Sequence, residues 1–403
     1  MLLFTTLFSI CLKHHRGLSI LSWNVNGLRS LIKHDNAIRS SISSKLEENQ
    51  MMVTTSSSSS TTTTNILNRL IQKRHVDILC LQETKIQEQH VAELDRYLRS
   101  VLDIHSIYWS CSTIKKGYSG TAIILLNTKY NQEMYNSINS EVKVSYNLDD
   151  DEVVNDEGRI ITLECDKYSL INTYVPNSGD QLVRLPYRID NWDQKLSSHI
   201  IRLKRKRPNL PIILVGDMNV AHTHLDYYNS YDKNTRYQSG LTPQEQASFS
   251  DNIIKACGMI DTFRFQYPTL QKYSYFSARL KDEGRRRRMG YRIDYVLLSS
   301  PCSSSSPSSS IVSSSSSSSA ASSVVSSTSS LSVSSSSVSS SSSLSDRVQI
   351  DGTLVTTQSE QYTTSLQLTS ILVHPTFDAY IEEEVYGAPH VYYLIIYQCC
   401  CNI

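Results

Sequence analysis

The sequence predicts a mixed α/β fold: two packed β-sheets with helices on the outside. Two observations carry that expectation. Short, nearly continuous apolar runs of strand length alternate with longer stretches of helical character. Two Ser/Thr-rich tracts have strand-like segments on both sides, so they interrupt one domain rather than separate two.

In chain order, strands are expected at 18–25, 77–83, 121–126, 159–164, 168–176, 211–217, 292–298 and 391–397. Most lack the polar alternation of a half-exposed strand, as strands covered on both faces do. Helices are expected at 65–75, 88–102, 182–206 and 243–257. The last has the clearest ends: Thr242 as N-cap, Pro243 at the first helical position, Glu245 closing a capping box and Gly258 as a stop. The tract at about 40–64 and the one at about 299–370 contain too little apolar area to offset the entropy of ordering them. They read as disordered insertions within a single domain spanning 18–397. Residues 1–17 form an extension and 398–403 a Cys-rich tail.

Composition narrows the function classes. With 39 Lys+Arg against 38 Asp+Glu the net charge is +1, which excludes a globally basic nucleic-acid packager and leaves any polyanion affinity to local clusters. The nine cysteines are odd in number and form no C-x-x-C pair, so a disulfide framework is not expected and a reducing, intracellular compartment is. No run approaches the 18 apolar residues of a membrane span. Residues 1–12 are apolar but are followed, not preceded, by basic residues, and no acid occurs before Asp35. That order fits a secretory signal poorly and an organelle presequence better.

Chemistry is expected where polar residues follow apolar strands, because strand ends can converge rigidly on one place. Four such ends stand out: Asn24-Val25-Asn26-Gly27, Gln82-Glu83-Thr84, Tyr174-Val175-Pro176-Asn177 and Gly216-Asp217-Met218-Asn219. Each alone reads as a turn or a solvated charge. Together they offer hard oxygen ligands and amide donors, a set suited to Mg²⁺ and phosphate.

The segments LSWNVNGLRS, DILCLQETK, NTYVPNSGD, RLPYRIDNWD, GDMNVAH, GLTPQEQ, DTFR and GYRIDYVLLS occur in one order over about 18–298, and the likeness resumes near 371–397. In these motifs the chain resembles the exonuclease III family of AP endonucleases, within the endonuclease/exonuclease/phosphatase superfamily. The resemblance implies a four-layer α/β sandwich and Mg²⁺-dependent hydrolysis (Mn²⁺ as a substitute) of the phosphodiester 5′ to an abasic site. Activity as a 3′-exonuclease or 3′-phosphodiesterase is a further family trait. The implied metal set is Asn24, Glu83, Asp217, Asn219 and His390, and the implied catalytic set is Asp217, Tyr174, Asn219, Asp294 and His390. Asp217 resembles the base that activates water, and Asp294 the partner that orients His390. Asn26 and Asn177 are matched to substrate contacts, and Tyr275, Tyr291 and Ile293 to the pocket that accepts a base-less sugar. The implied partner is double-stranded DNA with abasic sites, bound by a monomer in the nucleus, with the mitochondrion as the alternative compartment.

Two departures and two basic clusters qualify that reading. Relatives carry Gly-Ser-Asp-His where this chain has Gly387-Ala388-Pro389-His390. Pro389 supplies neither a carboxylate nor an N–H, so weakened catalysis is expected and a DNA-binding, catalytically degenerate paralogue stays open. Tyr275, Tyr291 and Ile293 stand where Phe, Trp and Leu are common, adding hydroxyls to the pocket. Arg285–Arg288 precedes GYRIDY and is expected to contact DNA phosphates, whereas the cations at 202–207 are expected to complement a helix C-terminus. A second alternative is a sister hydrolase acting on RNA tails or phosphoinositides, against which YVPN, GLTPQEQ and GYRIDY argue.

Overall fold

Strand-forming residues of the chain build two six-stranded mixed sheets. The computed structural model describes residues 18–33, 66–135, 142–148, 156–299, 379–382 and 392–396, the last two as backbone only. All of them belong to one unit of the chain. The extension 1–17, the tract 40–64, nearly all of 299–370, the tail 398–403, and with them Pro389 and His390, lie outside the described residues.

The first sheet has the order β13 (Ala379–Glu382), β14 (Tyr392–Ile396), β1 (Ser19–Asn24), β2 (Ile78–Gln82), β4 (Thr121–Leu126), β3 (Ile104–Ser110). The second has β5 (Lys143–Ser145), β6 (Ile160–Glu164), β7 (Ser169–Tyr174), β8 (Ile212–Asp217), β12 (Asp294–Ser299), β9 (Met259–Asp261). A two-stranded ribbon pairs β10 (Tyr275–Phe276) with β11 (Gly290–Tyr291).

Burial on both faces explains the continuous apolar runs. Along β1 and β2, Ile20, Ile78 and Cys80 point into the space between the sheets, where they meet Ile161, Leu170, Ile213 and Val215. Their neighbours Leu21, Leu79 and Leu81 point the other way, onto Leu67 of α1 (Ile66–Arg74) and Leu94 and Leu98 of α2 (Val91–Val101). On the far side, Ile212, Leu214 and Leu297 pack under Leu196, Ile200 and Leu203 of α3 (Gln194–Lys206), with Phe249 following α4 (Pro243–Ser248). Helix, sheet, sheet, helix: this is the expected four-layer sandwich, and the period-2 alternation of each strand generates it.

Differences from the sequence expectation have local causes. The helix expected from 182 begins at Tyr187, because Gln181 and Leu182 adopt left-handed φ of 53° and 60° and cannot enter a helix. Its first turns, Tyr187–Asp193, are π-helical, as are Phe249–Lys255 after α4. The cations at 202–207 serve their helix and its surroundings: Arg202 donates to Leu148 O, Lys204 to Cys257 O (2.9 Å), Arg207 to Tyr168 O (3.2 Å), and Lys206 pairs with Glu164.

Candidate active site

The topology brings strand ends from both sheets to one edge. β1 runs parallel to β2 and β7 parallel to β8, so Asn24, Gln82, Tyr174 and Asp217 all end their strands; antiparallel β12 starts there, with Asp294 opposite Asp217. The two sheets are fastened just behind these ends. Gln82 Nε2 donates to Asn172 Oδ1 (2.7 Å) and Ser22 Oγ (3.0 Å), while Asn172 Nδ2 donates to Leu81 O and Ala122 O. A buried polar set of this kind is satisfied only when the sheets sit in one register.

Backbone strain marks the same edge. Asn26, Glu83, Lys85 and Asn219 have φ between 46° and 55° without being glycine, a conformation that costs on the order of 1 kcal/mol or more each. Gly216 is required between β7 and β8: its φ is 132°, and a Cβ would stand 1.9 Å from Thr173 O.

A cavity of about 380 Å³ opens at this edge. One side is polar, made by Asn26, Glu83, Tyr174, Asn177, Asp217 and Asn219; the other is formed by Tyr275, Tyr291, Ile293 and Leu241. Nine of the residues singled out from sequence therefore line one cavity, and Asn24 and Asp294 stand directly behind Asp217. Asn24 Nδ2 donates to Asp217 Oδ2 (2.8 Å), and Asn219 N donates to Asp217 Oδ1 (2.8 Å). Asn177 Nδ2 donates to Asn219 Oδ1 (3.0 Å), and Asn219 Nδ2 to Val175 O (2.8 Å), so both amides are held in place. In this arrangement the Asn24 amide braces Asp217, and its Oδ1 accepts from Asn26 N.

Electrostatically the cavity holds an excess of buried acid. Burial, and then the Glu83 carboxylate, push Asp217 up to about 7 despite the two hydrogen bonds it accepts. Asp294 is raised well above the usual carboxylate range by burial and by Asp217, and its Oδ2 has no hydrogen-bond partner among the described residues. Burial, Glu83 and Asp217 also raise the Tyr174 phenol well above its usual value, so it stays a donor at neutral pH. Its ring lies under the Arg159 guanidinium at 4.7 Å, and Arg159 donates to Tyr174 O.

The cation nearest these acids is Lys85, whose Nζ sits 3.0 Å from Glu83 Oε1 and 2.6 Å from Asn26 Oδ1. That ammonium shows that the space between a carboxylate and an amide oxygen accepts positive charge. Among the described residues no three His, Cys, Asp or Glu side chains converge to enclose an ion. The donor set fits a hard divalent ion held by one or two carboxylates and completed by water and phosphate, the usual mode of Mg²⁺.

Sequence reasoning assigned no role to Lys85, Arg159, Arg188 or the Ser239–Leu241 wall. Arg188 enters through the π-helical turn and donates to Met218 O (2.6 Å), Asn219 O (2.8 Å) and Pro176 O (3.3 Å), fixing the two loops that carry Asn177 and Asn219. Gly240, at φ 83°, lies so near the Asn219 carbonyl that a Cβ would be 3.0 Å from it, which is the physical content of the Gly in GLTPQEQ. Of the arginine cluster, Arg286–Arg288 are exposed, but Arg286 and Arg287 pair with Glu283, and Arg285 stacks on Phe276 at 5.4 Å.

Beneath the Tyr/Ile wall lies a buried ionic network. Asp226 Oδ1 accepts from Arg292 Nε (2.7 Å) and Arg264 Nη2 (2.6 Å), its Oδ2 from Thr223 N and Oγ1, and Arg292 reaches on to Asp261. Because Arg292 stands between Tyr291 and Ile293, this network fixes the strand that presents them to the cavity.

An exodeoxyribonuclease from Bacillus subtilis is 34% identical over 283 residues, which cover 70% of this chain and 88% of that protein. The DNA repair nuclease APEX1 of Danio rerio is 31% identical over 284 residues, 70% of this chain and 74% of its own. The crystal structure of the AP endonuclease LMAP from Leishmania major matches with a TM-score of 0.55 at 28% identity, covering 71% of this chain and 80% of that one. With the endonuclease/exonuclease/phosphatase family pattern matched over residues 21–330, the chain belongs to that family.

Proposed function

We propose that this chain is a DNA-repair AP endonuclease: a divalent-metal-dependent phosphodiesterase that hydrolyses the bond 5′ to an abasic site in double-stranded DNA. The observation that carries the reading is the cavity in which Glu83, Asp217 and Tyr174, from strand ends of two different sheets, face a wall of Tyr275, Tyr291 and Ile293. One side suits a phosphate and its hard cation; the other suits a sugar without its base.

Glu83, with Asn26 and substrate phosphate, would hold a divalent ion, Mg²⁺ or Mn²⁺, which supplies charge neutralisation at the phosphoryl oxygens. Asp217, ionising near neutral pH and oriented by Asn24 and Asn219, takes the proton from the attacking water. The protonated Tyr174 donates to the phosphate, and Asn177, held by Asn219, contacts the strand beside it. Asp294 pairs with His390 in this proposal, a role supported by its open Oδ2 and by the antiparallel register that sets Tyr393 opposite Ser22, two residues before Asn24. Arg285–Arg288 contact backbone phosphates along the duplex. Single-domain organisation over 18–397, a monomeric state and nuclear residence complete the proposal; 3′-exonuclease activity belongs to the same site.

The test is incubation with an abasic duplex and Mg²⁺. A nick 5′ to the lesion that disappears with a chelator and in Asp217→Asn supports the reading. Duplex binding without a nick in the parent chain overturns it in favour of the degenerate paralogue that Pro389 suggests. Faster cleavage of RNA tails or phosphoinositides than of abasic duplex favours the sister hydrolases.

A further inference from the structure

The loop that leads into the cavity wall is rich in a residue type that the proposed reaction does not use. Residues 227–238 read YYNSYDKNTRYQ, four tyrosines in one short connection with Lys233 and Arg236 between them. Two of those rings are held outward: Tyr231 is 95% exposed and Tyr237 63%. Isolated exposed rings on a protein surface need no explanation, but these two share one loop beside a binding cavity.

The exposure does not come from a loose segment. Thr235 is buried, its Oγ1 donates to Asp232 O (2.7 Å), and Asn234 N donates to Asp232 Oδ1 (2.9 Å), a turn fastened on its own side chains. The loop is tied at both ends to the strand that carries Tyr291. Tyr228 N donates to Gly290 O (3.2 Å), and the Tyr291 hydroxyl donates to Gln238 Oε1 (3.2 Å). The rings continue as a ladder into the cavity: Tyr228 stacks on Tyr291 (6.0 Å, 28°), and Tyr291 on Tyr275 (6.1 Å, 24°). On the outer part, Arg236 lies over the Tyr237 ring at 4.9 Å and donates to its hydroxyl.

Exposed aromatic faces interleaved with cations, continuous with a phosphodiester site, are the chemistry that grips unpaired nucleobases. Rings stack on any base, and the cations follow the backbone. We propose that the Tyr228–Gln238 loop is a stacking platform for unpaired bases of a single DNA strand leaving the cavity, with Tyr231 and Tyr237 as the base-contacting rings. The proposal rests on the nuclease reading above and extends it to a preference for frayed or single-stranded DNA next to the site.

The experiment uses the full chain with metal chelated, so that binding is read without cleavage. Labelled oligo-dT and oligo-U of equal length are titrated by fluorescence anisotropy at several salt concentrations. The Tyr231→Ser/Tyr237→Ser variant is expected to bind oligo-dT roughly 25-fold more weakly, about fivefold for each ring, with an unchanged salt slope. Tyr231→Trp is expected to retain the affinity, and the emission of the introduced indole to be quenched as oligo-dT binds. Affinity within twofold of the parent for the double Ser variant, a loss accompanied by a shallower salt slope, or an indole emission that does not change on binding overturns the platform. A loss confined to oligo-U overturns the assignment to DNA. Nicking of abasic duplex, assayed with Mg²⁺ on the same preparations, reads the nuclease function separately. A chain that nicks but shows no ring-dependent binding loses only the platform, and one that binds through the rings but never nicks loses only the nuclease reading.

Discussion

Removing the charge of Asp217 should make the metal-free protein more stable while ending its activity. The folded state raises this carboxyl from 3.8 to about 7. Each unit corresponds to 1.36 kcal/mol, so ionising Asp217 inside the fold costs about 4 kcal/mol at pH 8. The sign follows from linkage: a raised acid binds more protons folded than unfolded, so stability falls as pH rises from about 4 to 7 and is flat above. Asp217→Asn abolishes that cost but loses one of the two hydrogen bonds from Asn24 and Asn219, worth about 1–2 kcal/mol. In EDTA at pH 8 the variant should therefore be about 2 kcal/mol more stable in urea unfolding. At pH 5 only about 1.6 kcal/mol of the cost remains, and the two proteins should be nearly equal. Mg²⁺ should narrow the gap at pH 8 by stabilising the parent alone. A variant less stable than the parent at pH 8, or a difference independent of pH, would refute the electrostatic account of this cavity.

Three further outcomes follow from the geometry. Gly216→Ala forces a Cβ against Thr173 O and should destabilise the fold by about 4 kcal/mol or more, read by urea unfolding or lost soluble yield. Asp226→Ala strips Arg292 and Arg264 of a buried partner and should cost about 3–5 kcal/mol. Since those arginines hold the Asp226 carboxyl far below its usual range, the stability it confers is full above about pH 4 and is lost as pH falls below that; the variant's deficit should shrink accordingly on acid titration. Replacing Arg285–Arg288 with Gln should reduce the salt slope of duplex binding by about 2 rather than about 4 (roughly 0.9 for each phosphate released), because Glu283 already pairs with two of them.

Much of this arrangement was legible in the residues because it depends on strands buried on both faces. Continuous apolar runs such as ILCLQ and IILVGD announce themselves, and each expected strand with described residues appears within a residue or two of its place. The strands that escaped notice lack that signature. β3, IHSIYWS, is an edge strand with half-exposed positions, and β5, β9, β10 and β11 have two or three residues each. The polar side chains at strand ends were readable because a carboxylate or amide after an apolar run is conspicuous. Lys85 and Arg188 were not, since their roles arise only once Asn26, Glu83 and the carbonyls of Met218 and Asn219 are brought beside them. Ser239–Leu241 contributes mostly backbone to the wall, which side-chain chemistry cannot signal.

The fastening of Gln82 to Asn172 has a consequence for how such an enzyme fails. The proposed chemistry needs Glu83 from one layer and Asp217 from the other, and neither layer alone contains a working half. A slip of one layer past the other would leave every helix and ladder intact, and so escape circular dichroism, yet part the acids from each other. Turnover is thus the more sensitive gauge of interlayer seating, and heat or mild denaturant should silence the protein before it visibly melts.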